Sequence, residues 1–208
     1  MKLNRKILQV LIAIVVTGNT CLCTFAQTAE THFNNGLAMI DNRNYDGAVK
    51  EYNKAITIDP EYAQAYIKRG VSKMQLDEYT AAINDFNMAI VLNPEIWDAW
   101  YFRANALRKN GNHAKAILDY NKAIELNAKY SEAYFHRGIS KYNLKDFKEA
   151  INDYSKAIEL KPDFHEAFYN RGLARYRNNE KGKACSDLIK AKQLGNAYAQ
   201  EIIAKYCN

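Results

Sequence analysis

Proline and glycine are scarce in this 208-residue sequence, which has three prolines and nine glycines. A fold of many short strands needs more turn-forming residues, so the composition argues against a β-sandwich or a β-barrel. No charge of one sign dominates, because 29 basic residues are interspersed with 23 acidic ones. We therefore expect a helical protein whose partner is not a nucleic acid.

Long hydrophobic runs are absent apart from one near the start. Residues 7–16 are apolar except for Gln9, about half the length that a membrane-spanning helix needs. Three basic residues precede this run and small residues around Ala26 follow it, as in a secretory signal. We predict a signal peptide over residues 1–26, a mature chain without a transmembrane span, and a periplasmic or other cell-envelope location. Removing the signal lowers the formal net charge from +6 to +3.

Cysteine is also rare, with four in the sequence, two of them inside the predicted signal. A lipid-anchoring signal requires a small residue immediately before the modified cysteine. Cys21 and Cys23 instead follow Thr20 and Leu22. We therefore favour secretion of a free chain over anchoring as a lipoprotein.

The prolines that are present share one phase. Pro60 and Pro94 are 34 residues apart, Pro162 follows after twice that interval, and Ala128 stands where the missing proline would be. Such a period indicates an internal repeat. We number the places of each unit from 1 to 34. The five units begin at Ala29, Ala63, Trp97, Ser131 and His165.

Small and large residues recur at fixed places of these units. Place 8 is glycine in four units and Ala104 in the third, places 20 and 27 are alanine throughout, and place 24 is aromatic in four units and Leu188 in the fifth. The spacings of three, four and seven are helical, so each unit is predicted to form two amphipathic helices of about 14 residues. One unit cannot bury its apolar face alone, and stacking predicts an all-α solenoid.

The stretches "AYIKRGVSKMQLDEYTAAINDFNMAIVLNP" and "AYFHRGISKYNLKDFKEAINDYSKAIELKP" resemble the tetratricopeptide repeat family. The resemblance implies a right-handed α-solenoid of helix-turn-helix repeats, with a concave groove lined by the first helix of each unit. It also implies binding of a protein or peptide partner without catalysis. We place five repeats in residues 27–196 and a C-terminal capping helix in residues 197–208.

Place 5 of the first helix is apolar or aromatic in every unit. Two interpretations stay open: an exposed stripe in the groove that binds a partner, or packing between successive first helices. Under the first, replacing Tyr101 and Tyr169 by alanine weakens binding with little effect on thermal stability. The candidate groove residues are Phe33, Ile67, Tyr101, Phe135 and Tyr169 at place 5, with Phe102, Asn105, Arg108, His136 and Asn170 around them.

Charged residues also recur with the period. Arginine at place 7 and aspartate at place 23 occur together in the last four units, and we interpret them as ion pairs between helices rather than a surface for an anionic ligand. Place 2 is acidic in four units and Gln64 in the second. Acidic residues there would repel a terminal carboxylate of a partner. They would favour a basic segment, or else they stabilise the positive end of each helix dipole.

The two remaining cysteines are predicted to form a disulfide. The last repeat helix and the capping helix are expected to be antiparallel about a turn near Gly195. Cys185 and Cys207 would then lie at a similar level along the two helix axes. The alternative for Cys185 is a small apolar core residue, since place 21 is valine or isoleucine in the other units. In an oxidising compartment we favour the disulfide.

No catalytic motif is present in the sequence. The four histidines are not spaced as metal ligands, and we expect neither a cofactor nor a metal. An enzymatic site would have to be assembled from scattered residues such as Asn105, Arg108 and His136. A further alternative is a self-associating structural spacer, because no separate helix is predicted to cover the beginning of unit 1. Neither alternative displaces the binding module as our main interpretation.

Overall fold

The computed structural model describes residues 28–207, so the predicted signal peptide lies outside the described residues. Within this range the chain forms eleven α-helices and no strand. The helices α1 to α11 are Ala29–Asp41, Tyr45–Ile58, Ala63–Gln75, Tyr79–Leu92, Trp97–Lys109, His113–Leu126, Ser131–Asn143, Phe147–Leu160, His165–Arg177, Lys181–Gln193 and Ala199–Tyr206. Odd-numbered helices up to α9 are the first helices of the five units, and even-numbered helices are the second.

The turn inside each unit has the same backbone conformation. Place 15 is left-handed in all five units, although only Gly111 is a glycine there; Arg43, Asp77, Lys145 and Asn179 have φ between 56° and 66°. The next residue donates a backbone hydrogen bond to the carbonyl five residues earlier, for example from Asn112 to Leu107 at 2.8 Å. This closes the end of each first helix and reverses the chain.

Small residues allow the two helices of a unit to approach closely. A Cβ atom added at Gly70 would lie 2.7 Å from the ring of Phe86, and one at Gly138 would lie 2.7 Å from the ring of Tyr154. The alanines at places 20 and 27 are buried in every unit. The aromatic ring at place 24 therefore fills the space beside the glycine, as the sequence predicts.

Neighbouring units are joined through the first helix of the later unit, which packs against the second helix and, from unit 3 onward, also against the first helix of the unit before it. Places 3 and 10 hold small residues that are fully buried from unit 2 onward, such as Ala99 and Ser72. Successive first helices contact one another from α3 to α9, and each second helix packs against the first helix of the next unit. The prediction of an all-α helical repeat solenoid is confirmed.

The two ends of the solenoid differ. At the C-terminal end α11 packs against α10, and the Sγ atoms of Cys185 and Cys207 lie at bonding distance, 2.06 Å, with 5.6 Å between the Cα atoms. At the N-terminal end, α1 exposes the polar or small residues Thr31, Asn35 and Ala38. This surface offers little apolar area to a second copy, so it does not favour the self-associating spacer.

The predicted Arg–Asp pairs are present and also connect units. Each place 7 arginine donates two hydrogen bonds to the aspartate at place 23 of its own second helix, over 2.6–3.0 Å. Its third bond reaches place 25 of the preceding unit, as from Arg137 to Asn121 at 2.7 Å. The bidentate geometry fixes the angle between three helices at once. In unit 1, Glu51 accepts instead from His32 and Lys54.

These pairs yield a stability prediction at Asp153, which is 4% exposed and bonded to Arg137 and Lys141. The Asp153→Asn variant leaves Arg137 without a carboxylate and Lys141 with only Glu149, 3.9 Å away, so we expect the free energy of unfolding to fall by about 3 kcal/mol. The matched control is Asp163→Asn, since Asp163 is exposed, and it should change stability by no more than about 0.5 kcal/mol. Urea denaturation measures both. An equal effect of the two variants would contradict a stabilising role for the pair.

Candidate functional site

The place 5 residues are not a continuous exposed stripe. Ile67, Tyr101 and Phe135 are 0%, 6% and 8% exposed, whereas Phe33 and Tyr169 are partly exposed. For the three buried side chains the structure therefore corrects the groove interpretation in favour of packing.

The residue that covers place 5 stands at place 34. Ring centroids lie 5.0 Å apart for Phe33 and Tyr62, and 4.8 Å apart for Tyr101 and Tyr130. Phe135 has the same contact with Phe164, at 4.7 Å. Removing Tyr101 would therefore disturb the core, so the double substitution of Tyr101 and Tyr169 cannot separate partner binding from stability.

The open side of the first helices is formed by other places. At 100° per residue, places 2, 6, 9 and 13 lie within about 60° of one another. Place 8 faces the second helix of its own unit, and places 3 and 10 face the preceding first helix. We call the surface made by places 2, 6, 9 and 13 of the five units the first-helix face. Four of the candidate groove residues occupy these places: Phe102, His136 and Asn170 at place 6, and Asn105 at place 9.

Apolar residues follow place 9 along this face. In units 1, 2, 4 and 5 this place holds Leu37, Val71, Ile139 and Leu173, which differ little in size. Leu37, Val71 and Ile139 are partly exposed. Place 12, at the edge toward the next first helix, is likewise apolar or aromatic and partly exposed in these units: Ile40, Met74, Tyr142 and Tyr176. Neither set was predicted from the sequence, although a comparison of the units at places 9 and 12 shows both.

Unit 3 interrupts this apolar surface with a polar cluster. The Tyr120 hydroxyl donates to Asn105 Oδ1 over 2.7 Å, and Arg108 Nε donates to the same hydroxyl over 3.3 Å. His136 of the next unit lies beside them, with its ring centroid 6.5 Å from that of Tyr120. Three of the ten predicted groove residues are thus brought together around the Tyr120 side chain.

Burial and nearby cations keep His136 neutral. Removal from water, and then the charges of Arg108 and Lys109, lower the pKa of His136 to about 3. A histidine with this pKa is poorly matched to proton transfer near neutral pH. The cluster of Asn105, Arg108 and His136 is therefore better suited to hydrogen bonding and charge pairing than to acid–base catalysis.

The two edges of the first-helix face carry different charges. Place 2, at the start of each first helix, is acidic in four units: Glu30, Asp98, Glu132 and Glu166. Place 13, near the end of each first helix, carries Lys109 and Arg177 but Asp41 in unit 1. Burial raises the pKa of Asp98, whose Oδ1 has no hydrogen-bond partner in the described part of the chain. A segment lying along the face meets acidic groups on one side and, in units 3 and 5, basic groups on the other.

Within residues 28–207 no three His, Cys, Asp or Glu side chains are grouped so that they could hold a metal ion. In the same range, none of the helices combines the length and the hydropathy needed to cross a bilayer.

Comparison with protein families finds tetratricopeptide repeats over most of the solenoid. A family described as "TPR repeat" matches residues 36–77 and 140–179, and one described as "Tetratricopeptide repeat" matches residues 67–131. These segments include all or part of every unit. A search of the curated proteins found no match.

Solved structures of repeat proteins have the same fold. A crystal structure of MamA has a TM-score of 0.72 and 27% identity, over 82% of this chain and 97% of the other. YrrB, described as "a TPR protein with an unusual peptide-binding site", has a TM-score of 0.73 and 25% identity, over 87% and 93%. TTC0263, a thermophilic TPR protein of Thermus thermophilus, has a TM-score of 0.63 and 15% identity, over 86% and 97%. At that identity the last comparison concerns the fold alone.

Proposed function

Since this chain belongs to the tetratricopeptide repeat family, we propose that it is a non-catalytic binding module that holds a segment of a partner protein along the first-helix face. The family's repeats generally serve as protein interaction scaffolds. The observation that carries the proposal is the row of apolar residues at place 9, which are partly exposed in units 1, 2 and 4. In a solenoid, this row runs from unit to unit along a concave surface.

The size of this surface fits a short peptide. Packed helices lie about 8–10 Å apart, so five first helices span about 32–40 Å between the outer axes. An extended chain advances about 3.3 Å per residue, and a segment of about 10–12 residues covers that distance. The likeness to YrrB, whose peptide-binding site is part of its description, supports the same kind of ligand here.

A pair of double variants tests this proposal. Val71→Asn with Leu173→Asn removes a partly exposed apolar side chain from place 9 of units 2 and 5, and urea denaturation checks that the variant is folded. We expect peptides selected on residues 27–208 from a displayed library of random 15-residue sequences to bind this variant at least about tenfold more weakly, because two apolar contacts are lost. Fluorescence anisotropy with the selected peptides measures the dissociation constants.

The matched control makes the same chemical change on the second helices. Val91 and Leu118 are 76% and 66% exposed there, and Val91→Asn with Leu118→Asn should leave affinity unchanged. Weaker binding by the control, with native affinity for the place 9 variant, would assign the site to the second helices. Selection of no peptide that binds in solution would contradict the proposal as a whole.

We further propose that the chain is exported to the cell envelope, with the signal cleaved after Ala26 and a disulfide between Cys185 and Cys207. The basic start and short apolar run support export. The proximity of the two sulfur atoms supports the disulfide, since such bonds persist in oxidising compartments. A link of this kind would hold α11 against α10 and keep the last repeat covered.

Mass spectrometry of the full-length chain expressed in a bacterial host tests this second proposal. We expect an envelope fraction containing a chain that begins at Gln27, with a mass two hydrogen atoms below that of the reduced form. Reduction should lower the free energy of unfolding by about 3 kcal/mol, as for a loop of this length. An intact N-terminus, a lipid attached to Cys21 or Cys23, or two free thiols would contradict it.

A further inference from the structure

One cation in unit 3 is displaced by a single place relative to units 2, 4 and 5. Units 2, 4 and 5 carry a cation at place 11 that binds the buried aspartate of place 23. The distances are 2.8 Å for Lys73 and Asp85, 2.9 Å for Lys141 and Asp153, and 2.7 Å for Arg175 and Asp187.

In unit 3, place 11 is Leu107 and the cation is Arg108, at place 12. Asp119 keeps only Arg103 among the ion pairs of the described residues. The displacement therefore moves one positive charge from the interior of the unit to the edge of the first-helix face.

Arg108 has unused hydrogen-bonding capacity at its new position. Its Nε donates to the Tyr120 hydroxyl over 3.3 Å, and it forms no ion pair with any residue in the range 28–207. The side chain is partly exposed. Guanidinium groups have five donors arranged to match a carboxylate, so both terminal nitrogens of Arg108 can still donate hydrogen bonds to a carboxylate.

Asn105 is 8% exposed and uncharged, so it is a poorer partner than Arg108 for a carboxylate of the ligand. Its Oδ1 accepts from Tyr120 over 2.7 Å. In units 1 and 4, where place 9 is Leu37 or Ile139, the buried hydroxyls of Tyr52 and Tyr154 have no hydrogen-bond partner among the described residues. Asn105 thus satisfies the buried tyrosine of unit 3, and Arg108 is the group left for a ligand.

Apolar residues flank Arg108 on both sides along the solenoid. Val71 and Met74 precede it in unit 2, and Ile139 and Tyr142 follow it in unit 4. A ligand that ended at Arg108 would leave half of this apolar surface uncovered. The arrangement therefore favours a carboxylate within a segment over the terminal carboxylate of a chain.

We propose that the partner segment carries an acidic side chain near its middle, flanked by apolar residues, and that this side chain pairs with Arg108. This inference rests on the proposed function. Neighbouring first helices are about 8–10 Å apart. A segment in the polyproline II conformation rises about 3.1 Å per residue and has three residues per turn, so apolar residues three positions to each side of the acidic one face the same surface. Units 2 and 4 receive the apolar side chains, and unit 3 receives the acidic one.

Displayed peptides of 15 residues test the pairing, with position 8 limited to Glu, Gln or Lys and all other positions random. The native chain should enrich Glu at position 8, and a peptide selected with Glu should bind about tenfold or more tightly than its Gln counterpart. Arg108→Gln should remove this preference. Lys115→Gln, which makes the same charge change at an exposed position on the second helix of unit 3, should retain it.

A second variant moves the cation without changing the net charge. Leu107→Lys with Arg108→Tyr gives unit 3 the pair found in unit 4, Lys141 and Tyr142. Because Asp119 then gains a second cation, we expect stability at or above that of the native chain together with loss of the preference for Glu. Urea denaturation and anisotropy measure the two effects separately.

Three outcomes decide between the proposals. Peptides that bind the first-helix face with no preference at position 8, or with a preference that survives both Arg108 variants, overturn the pairing and leave the proposed function standing. Enrichment of a C-terminal carboxylate placed at Arg108 also overturns it. Peptides that bind the native chain and the Val71→Asn, Leu173→Asn variant equally contradict the proposed function itself.

Discussion

Close approach between neighbouring helices is the constraint on which the rest of this structure depends. It requires small residues at places 3, 8, 10, 20 and 27. Places 8, 20 and 27 are buried in every unit, and places 3 and 10 are buried from unit 2 onward. Once these places are fixed, large residues are confined to the gaps between helices, such as Phe86 beside Gly70. The arginines at place 7 then connect the two helices of their own unit, by pairing with aspartate, and bond to the second helix of the preceding unit. The first-helix face is left as a surface where residues vary from unit to unit, as at place 6.

Much of this fold could be predicted from the period alone. Spacings of three, four and seven identify the helices, and the pairing of place 7 with place 23 follows from their recurrence together, as seen for Arg171 and Asp187. At place 5 the sequence left two interpretations open, an exposed stripe and packing between first helices. Exposure there depends on place 34, where Tyr130 and Phe164 fold over the side chains of Tyr101 and Phe135. That contact involves the linker between units, whose path is not encoded in the helical periodicity.

The candidate site could be predicted only in part for the same reason. A helical wheel places His136 and Asn170 on the first-helix face without knowledge of the linkers. The apolar residues at place 9 carry an equally clear signal. The role of Arg108 becomes visible only when unit 3 is compared with its neighbours, because one displaced cation changes what the surface can bind. Asp119 retains a bidentate partner in Arg103, and the fold tolerates the change.

The central claim is that the partner segment lies on the first helices, and NMR chemical-shift mapping tests it most directly. Amide signals of the isotopically labelled chain, residues 27–208, would be recorded with and without a peptide selected from the displayed library. The account predicts that the largest shifts fall in α3, α5, α7 and α9, around Val71, Asn105, Ile139 and Leu173. Shifts concentrated around Val91 and Leu118 on the second helices, with the first helices unchanged, would contradict it.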